Sequence, residues 1–260
     1  MTHVGLLIVL LLAAPVAGGE EEPLPASAPA RPTWGGSPLS QPRYLLHEAD
    51  DSVENLRSAL LGYDEAIAER LSPSDKPSAY TDKALALLRL GDLQGSKGQR
   101  RAYYQRGKLE AEKGIAANAS YADAHFMRAS NLGSWMREKG VAQSLFLLDD
   151  LKAGFQRTLE LDSGHLKARL SLARIDEQLP RLLGGSKKRA EQRYRTLLKQ
   201  DPHFTLAMIF YAEFLAERGR KDESIQWLKR VISEEQPTEP ADFRRFDRPR
   251  AEVLLEQFSK

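Results

Sequence analysis

An all-α fold made of repeated helix pairs is what this chain predicts, on three observations. Beyond residue 50 the apolar residues recur at helical spacing, as in Ala84-Leu85-Leu87-Leu88, Phe146-Leu147-Leu151-Phe155-Leu159 and Ile209-Phe210-Phe214-Leu215. No stretch alternates polar and apolar residues over a strand's length between hairpin turns. One eight-residue pattern closing on a small residue occurs three times, at Ala122 to Ala129, Leu166 to Ala173 and Thr205 to Ala212. Each copy follows an amphipathic segment that ends at Asn118, Asp162 or Asp201. The closing alanines lie 44 and 39 residues apart (173 − 129 and 212 − 173), so the repeating unit is a helix pair with insertions of varying length.

The elements follow in chain order. Val4 to Val16 is an apolar run of thirteen residues, short of the ~20 that a spanning helix needs. Small residues at Ala17, Gly18 and Gly19 then precede Glu20-Glu21-Glu22, so residues 1–19 read as an export signal peptide. Met-Thr-His supplies no Lys or Arg, which leaves an uncleaved inner-membrane anchor as the alternative. Residues 20–50 read as a proline-rich linker, because six of the 14 prolines lie between Glu20 and Pro42 among Ala, Ser and Gly. The folded domain is expected over 51–260. It starts with a helix near 52–71, followed by pairs at 78–92 with 96–117, 122–138 with 144–161, 166–180 with 186–200, and 204–218 with 221–234. A last helix over 248–258 would cover the open end of the stack, since a terminal repeat otherwise exposes its stacking face. Gly91, Gly219 and Gly184-Gly185 are placed to stop helices in left-handed turns, and Ser186 and Asp222 to cap the helices that follow.

Composition narrows the function. Apolar residues are 42% and charged residues 28% of the chain, and Lys plus Arg (38) nearly balance Asp plus Glu (36), so no global field draws it to nucleic acid. The absence of cysteine removes thiol nucleophiles, thiolate metal sites, disulfides and lipoprotein acylation together. The five histidines form no HExxH pair, and Gly184-Gly185-Ser186-Lys187-Lys188 lacks both the spacing of a phosphate loop and a preceding strand. Asp149-Asp150 and Glu234-Glu235 are sequence neighbours on helices, so their carboxylates point apart. The expectation is a binding protein without cofactor or metal, and no enzyme.

The last unit resembles the tetratricopeptide repeat. With Pro202 on that repeat's terminal proline, Tyr211-Ala212 falls on its Leu-Gly pair, Leu215 on its Tyr, Ser224 on its second small residue, Leu228 on its Phe and Val231 on its Ala. Earlier units depart from it, with Arg128 where Leu is expected and insertions around Gly140 and Leu182-Leu183-Gly184. The resemblance implies a tetratricopeptide-like helical-hairpin solenoid with irregular repeats and a C-terminal capping helix. The order of features over residues 80–258 also resembles the T component of TRAP transporters. It is carried by Ala122-Asp-Ala-His-Phe, Leu132-Gly133, the Leu179 to Ser186 segment, Tyr211-Ala212-Glu213 and the Arg248 to Leu255 segment. Members are commonly lipoproteins, which a chain without cysteine cannot be. This second resemblance implies a periplasmic, oligomeric helical protein that assists a substrate-binding protein of an uptake system.

In tetratricopeptide stacks the first helix of each pair lines the ligand face. Register transfer from the last unit selects Asp123, Phe126 and Ser130, then Lys167, Leu170 and Arg174, then Leu206, Ile209 and Glu213. The set would suit a protein or peptide partner, such as a periplasmic substrate-binding protein, or a small hydrophobic ligand, with a homo-oligomer as a further partner. The competing reading places Phe126, Leu170 and Ile209 in the core, because a register error of one residue turns a helical position by ~100°. A general envelope-assembly or protein–protein interaction adaptor is the alternative function, and an enzyme the remote one.

Overall fold

The structure is a computed structural model that describes residues 37–69, 71–140 and 144–259. The signal segment and the first part of the linker lie outside the described residues. Every regular element among the described residues is helical, and the chain divides into two compact units at His165/Leu166.

The first unit contains α1 (Ser40–His47), α2 (Val53–Ala68), α3 (Lys76–Asp92), α4 (Lys97–Ala117), α5 (Ala122–Lys139) and α6 (Leu148–Leu161), the last preceded by a 3-10 turn at Leu145–Leu147. Helix α1 corrects the linker expectation over the end of 20–50. Its Leu46, with Leu39 just before it, is buried in a core with Leu56, Tyr63, Ala79 and Leu90. Pro42 does not prevent this, because a proline in a helix's first turn removes an amide that has no intrahelical partner. Successive helices pack on one another from α1 to α6, and α3 also meets α5, the contact of one pair's first helix with the next pair's.

The second unit contains α7 (Leu166–Gln178), a 3-10 turn at Arg181–Leu183, α8 (Lys187–Gln200), α9 (Thr205–Glu217) and α10 (Lys221–Ile232). It closes with α11 (Pro240–Asp242), a π-helical turn (Phe243–Asp247) and α12 (Arg248–Ser259). The expected final helix is present and packs on α10, with a helical lead-in that the sequence pattern does not reveal. Helix α9 is buried on every side: Thr205 through Ala212, Phe214 and Leu215 are all interior.

The local signals explain the boundaries. Ser52, Ser96 and Ser186 accept from the amides of Asn55, Gln99 and Arg189 at 3.1–3.2 Å and start α2, α4 and α8. Asn118, Asp162 and Asp201 each leave the helix in extended conformation. Their Oδ1 atoms accept from the amides of Ser120, Gly164 and His203 at 2.9 Å, and the next helix begins four residues after each of them. This repeated turn is the physical basis of the repeat read in the sequence. Gly184 and Gly219 stand at φ +84° and +74° as expected. Two readings are corrected. Gly91 lies inside α3, where a Cβ would come within 2.5 Å of the Tyr104 ring, so it serves close helix approach and ends nothing. Asp222 sits in the first turn of α10 and makes no side-chain cap, the capping position being Arg220.

Candidate functional site

The nine residues selected from the sequence divide between the two units and are mostly interior. In the first unit Phe126 is buried between the rings of Phe155 and His165, at 5.7 and 4.7 Å. Ser130 is buried with its Oγ lacking a protein partner among the described residues. Only Asp123 faces solvent, and it accepts a hydrogen bond from His165 Nε2 at 3.0 Å.

In the second unit Leu170, Leu206 and Ile209 are core residues. Arg174 is buried as well. Its Nη1 donates to both carboxylate oxygens of Glu177, at 3.0 and 2.9 Å, and its guanidinium lies 4.3 Å from the Phe210 ring centre. Tyr194 donates to Glu177 at 2.5 Å from within the same interior. Burial alone would push Arg174 down, but Tyr194, Glu177 and Glu213 hold it above its ordinary range. An Arg and a Glu three residues apart look like a surface pair in sequence, which is why the pattern does not reveal this interior network.

The two remaining polar candidates are engaged by the chain's own C-terminal segment. Lys167 Nζ pairs with Glu239 at 2.8 Å and Asp242 at 3.4 Å. Glu213 accepts from Arg250 at 2.6 Å, and the Arg250 guanidinium lies 4.7 Å from the Phe210 ring centre. Thr205 Oγ1 donates to the buried Asp247 at 2.6 Å. The α7–α9 face that register transfer assigns to a ligand is therefore covered by the chain's own C-terminal segment.

An open cleft of about 670 Å³ lies instead in the first unit, between α2 and α4 and backed by α3. Leu60 and Leu87 form its apolar floor, and Leu109 stands in its wall 47% exposed. Lys83 reaches the floor between Asp64, at 2.5 Å, and Glu110, at 3.0 Å. Burial works against its charge, yet these two carboxylates hold its pKa above the ordinary lysine value. Arg106 at the edge lies 5.6 Å from the Tyr103 ring centre and makes no ion pair among the described residues. The sequence carries a signal for this cleft: Leu109 is a lone leucine on a strongly polar helix, and Lys83 directly precedes the apolar run Ala84 to Leu88.

Paired antiparallel helices, small residues at their crossings and a helical end cap define a helical-repeat fold of the tetratricopeptide type. Residues 185–243, from the turn before α8 to the start of the π-helical turn, match the family described as Tetratricopeptide repeat. A solved structure of a thermophilic TPR protein from Thermus thermophilus is similar in fold, with a TM-score of 0.60 at 14% identity over 79% of this chain and 91% of that one. No curated protein matches the chain. The fold class is thus the all-α hairpin solenoid that the sequence predicts.

Two buried carboxylates set a pH response. Asp92 accepts from the Tyr104 hydroxyl at 2.7 Å while its Oδ2 has no partner among the described residues, and burial pushes it up to about 7 despite Tyr104 and Arg137. Burial pushes Asp247 up to about 7 too, against the Thr205 hydrogen bond and with Asp242 and Glu239 adding to the rise. Both folded-state values exceed the unfolded ones. The associated stability is therefore fully present below the ordinary carboxylate range and is lost as pH rises through about 7. The thermal midpoint should fall by roughly 5 °C between about pH 5.5 and about pH 8. In the double variant Asp92→Asn/Asp247→Asn that slope should flatten; an unchanged slope would remove these groups as its source.

Proposed function

We propose that this chain is a non-catalytic scaffold that captures a protein partner by taking one of its amphipathic helices into the α2–α4 cleft. The tetratricopeptide-type fold supports partner binding as the general role. The observation that carries the specific reading is the cleft itself, where a half-exposed leucine and a guanidinium without an ion pair among the described residues flank an apolar floor. Such a groove takes the apolar stripe of a helix on Leu60, Leu87 and Leu109, and a carboxylate of the same helix on Arg106. A half-exposed leucine costs little stability when replaced, so binding and folding separate cleanly there. Leu109→Glu should reduce partner capture by roughly tenfold or more and leave the thermal midpoint within about 2 °C of wild type. Undiminished capture would eliminate the cleft.

The resemblance to the T component supports a finer reading. The chain is exported to the periplasm and the captured partner is the substrate-binding protein of a TRAP-type uptake system. Co-purification of that binding protein with the wild-type chain, and its loss with Leu109→Glu, is the expected result. A binding protein that elutes independently of the chain at micromolar concentrations contradicts it.

A further inference from the structure

The connection between α7 and α8 is longer than a helix pair needs. Helix α9 reaches α10 through three residues, Arg218 to Arg220, whereas α7 reaches α8 through eight, Leu179 to Ser186. The additional residues form a bonded turn. The amides of Leu183 and Gly185 donate to Pro180 O at 2.9 and 3.1 Å, and that of Gly184 to Arg181 O at 3.0 Å. The Ser186 amide ties the turn to α7 through Asp176 O at 2.7 Å, and Arg189 Nη2 ties it to α8 through Gly184 O at 2.6 Å. Gly185 packs so closely that a Cβ there would overlap the Leu179 carbonyl oxygen. On this fixed frame Leu182 stands 98% exposed.

An exposed leucine means little by itself. Here the charge around it has one sign. From Pro180 to Ala190 the chain carries Arg181, Lys187, Lys188 and Arg189, all exposed, and no carboxylate. Arg181, Lys187 and Lys188 make no ion pair among the described residues. The carboxylates that α7 and α8 bring near are outnumbered: Asp176 is met by both Arg189 and Arg193, and Glu191 by both Arg195 and Arg220. A lone apolar side chain among unpaired cations fits a surface that is anionic outside and apolar beneath, as a bilayer of acidic lipids is. A protein interface would instead call for a cluster of apolar anchors, and Leu183 beside it is already half-buried. No helix among the described residues is long and apolar enough to cross a membrane, so such contact is at the surface.

We propose that the Arg181–Arg189 turn is a membrane-contact site. Leu182 enters the acyl boundary of an anionic bilayer, and Arg181, Lys187 and Lys188 meet the lipid phosphates. Each cation near such a surface favours binding by roughly fivefold, and one buried leucine by roughly tenfold or more. Together they give a reversible, salt-sensitive attachment that falls short of a permanent anchor. This goes beyond the cleft reading and stands without it, because no residue of the cleft takes part.

The chain has no cysteine, so Leu182→Cys and Val253→Cys each give the full-length protein one attachment point for a polarity-sensitive fluorophore. The apolar run Val4 to Val16 is common to both labelled chains and cancels in their comparison. Vesicles of equimolar phosphatidylglycerol and phosphatidylcholine should shift the probe at 182 to the blue, and brominated acyl chains should quench it. The probe at 253 should not respond. Phosphatidylcholine vesicles, and glycerol phosphate in solution, should leave position 182 unchanged. Adding Lys187→Glu and Lys188→Glu should weaken the response at 182 by roughly tenfold or more, whereas Leu109→Glu should not alter it. A silent probe at 182 on the anionic vesicles overturns the proposal, as do equal responses at 182 and 253 or a response that survives the double charge reversal. A response to glycerol phosphate alone makes the turn a soluble-anion site, and one to a protein extract but not to vesicles makes it a protein contact; either outcome rejects the membrane assignment.

Discussion

Replacing Gly107 with alanine should destabilise the first unit by about 2–4 kcal/mol, whereas the same change at Gly98 in the same helix should be neutral or slightly stabilising. A Cβ at Gly107 would collide with the side-chain amide of Asn131. That asparagine is wholly buried and donates to the carbonyls of Ala84 at 3.2 Å and Met127 at 3.0 Å, joining α3 and α5 at the point where α4 crosses. Displacing it strands buried polar groups, at a cost of ~1–3 kcal/mol each, which outweighs the gain in helix propensity. At Gly98 a Cβ meets nothing within 4 Å. Denaturant unfolding should show a loss of stability in the Gly107 variant and none in the Gly98 variant, and equal shifts would mean that the crossing is looser than described.

Glu177→Ala should be more damaging still, at about 3–5 kcal/mol, because it leaves the Arg174 guanidinium in the interior without its hydrogen-bonded counter-ion. Tyr194 loses its acceptor in the same step. Arg174→Met combined with Glu177→Leu should restore most of the loss, since replacing both partners of a buried pair leaves no charge stranded. A double variant as unstable as Glu177→Ala would show that packing of the α7–α8–α9 interior, and not charge, sets the cost.

How far the sequence carries the fold depends on whether the signal is local. Asn118, Asp162 and Asp201 announce helix ends because each makes a turn with its own neighbours, and Ser186 announces a start in the same way. Helix α1 is hidden because Pro42 and the prolines before it suggest a tether, while its hold on the core comes from Leu39 and Leu46 meeting residues of α2 and α3. Gly91 misleads since a glycine that ends a helix and one that admits a tyrosine ring look alike until the partner helix is in place.

The site is less legible for a related reason. Register transfer assumes an open face on α9, yet Thr205-Leu-Ala-Met-Ile-Phe-Tyr-Ala212 has no polar stripe, and an all-apolar helix must be enclosed. That pattern already places Leu206 and Ile209 indoors. What covers them is not readable, because Asp242, Asp247 and Arg250 are ordinary charges in sequence and acquire meaning only opposite Lys167, Thr205 and Glu213. A charge reversal at Arg174 would consequently test folding and not binding.

The most direct test of the partner-capture reading is site-specific photo-crosslinking in the source cells from a probe amino acid at position 109. It should be compared with probes at Leu182 and Val253, which are 98% and 55% exposed. The expected result is one discrete protein adduct from position 109 that disappears when Arg106→Glu is added and is absent from position 182. No adduct from position 109, or the same adducts from all three positions, would contradict capture in the α2–α4 cleft.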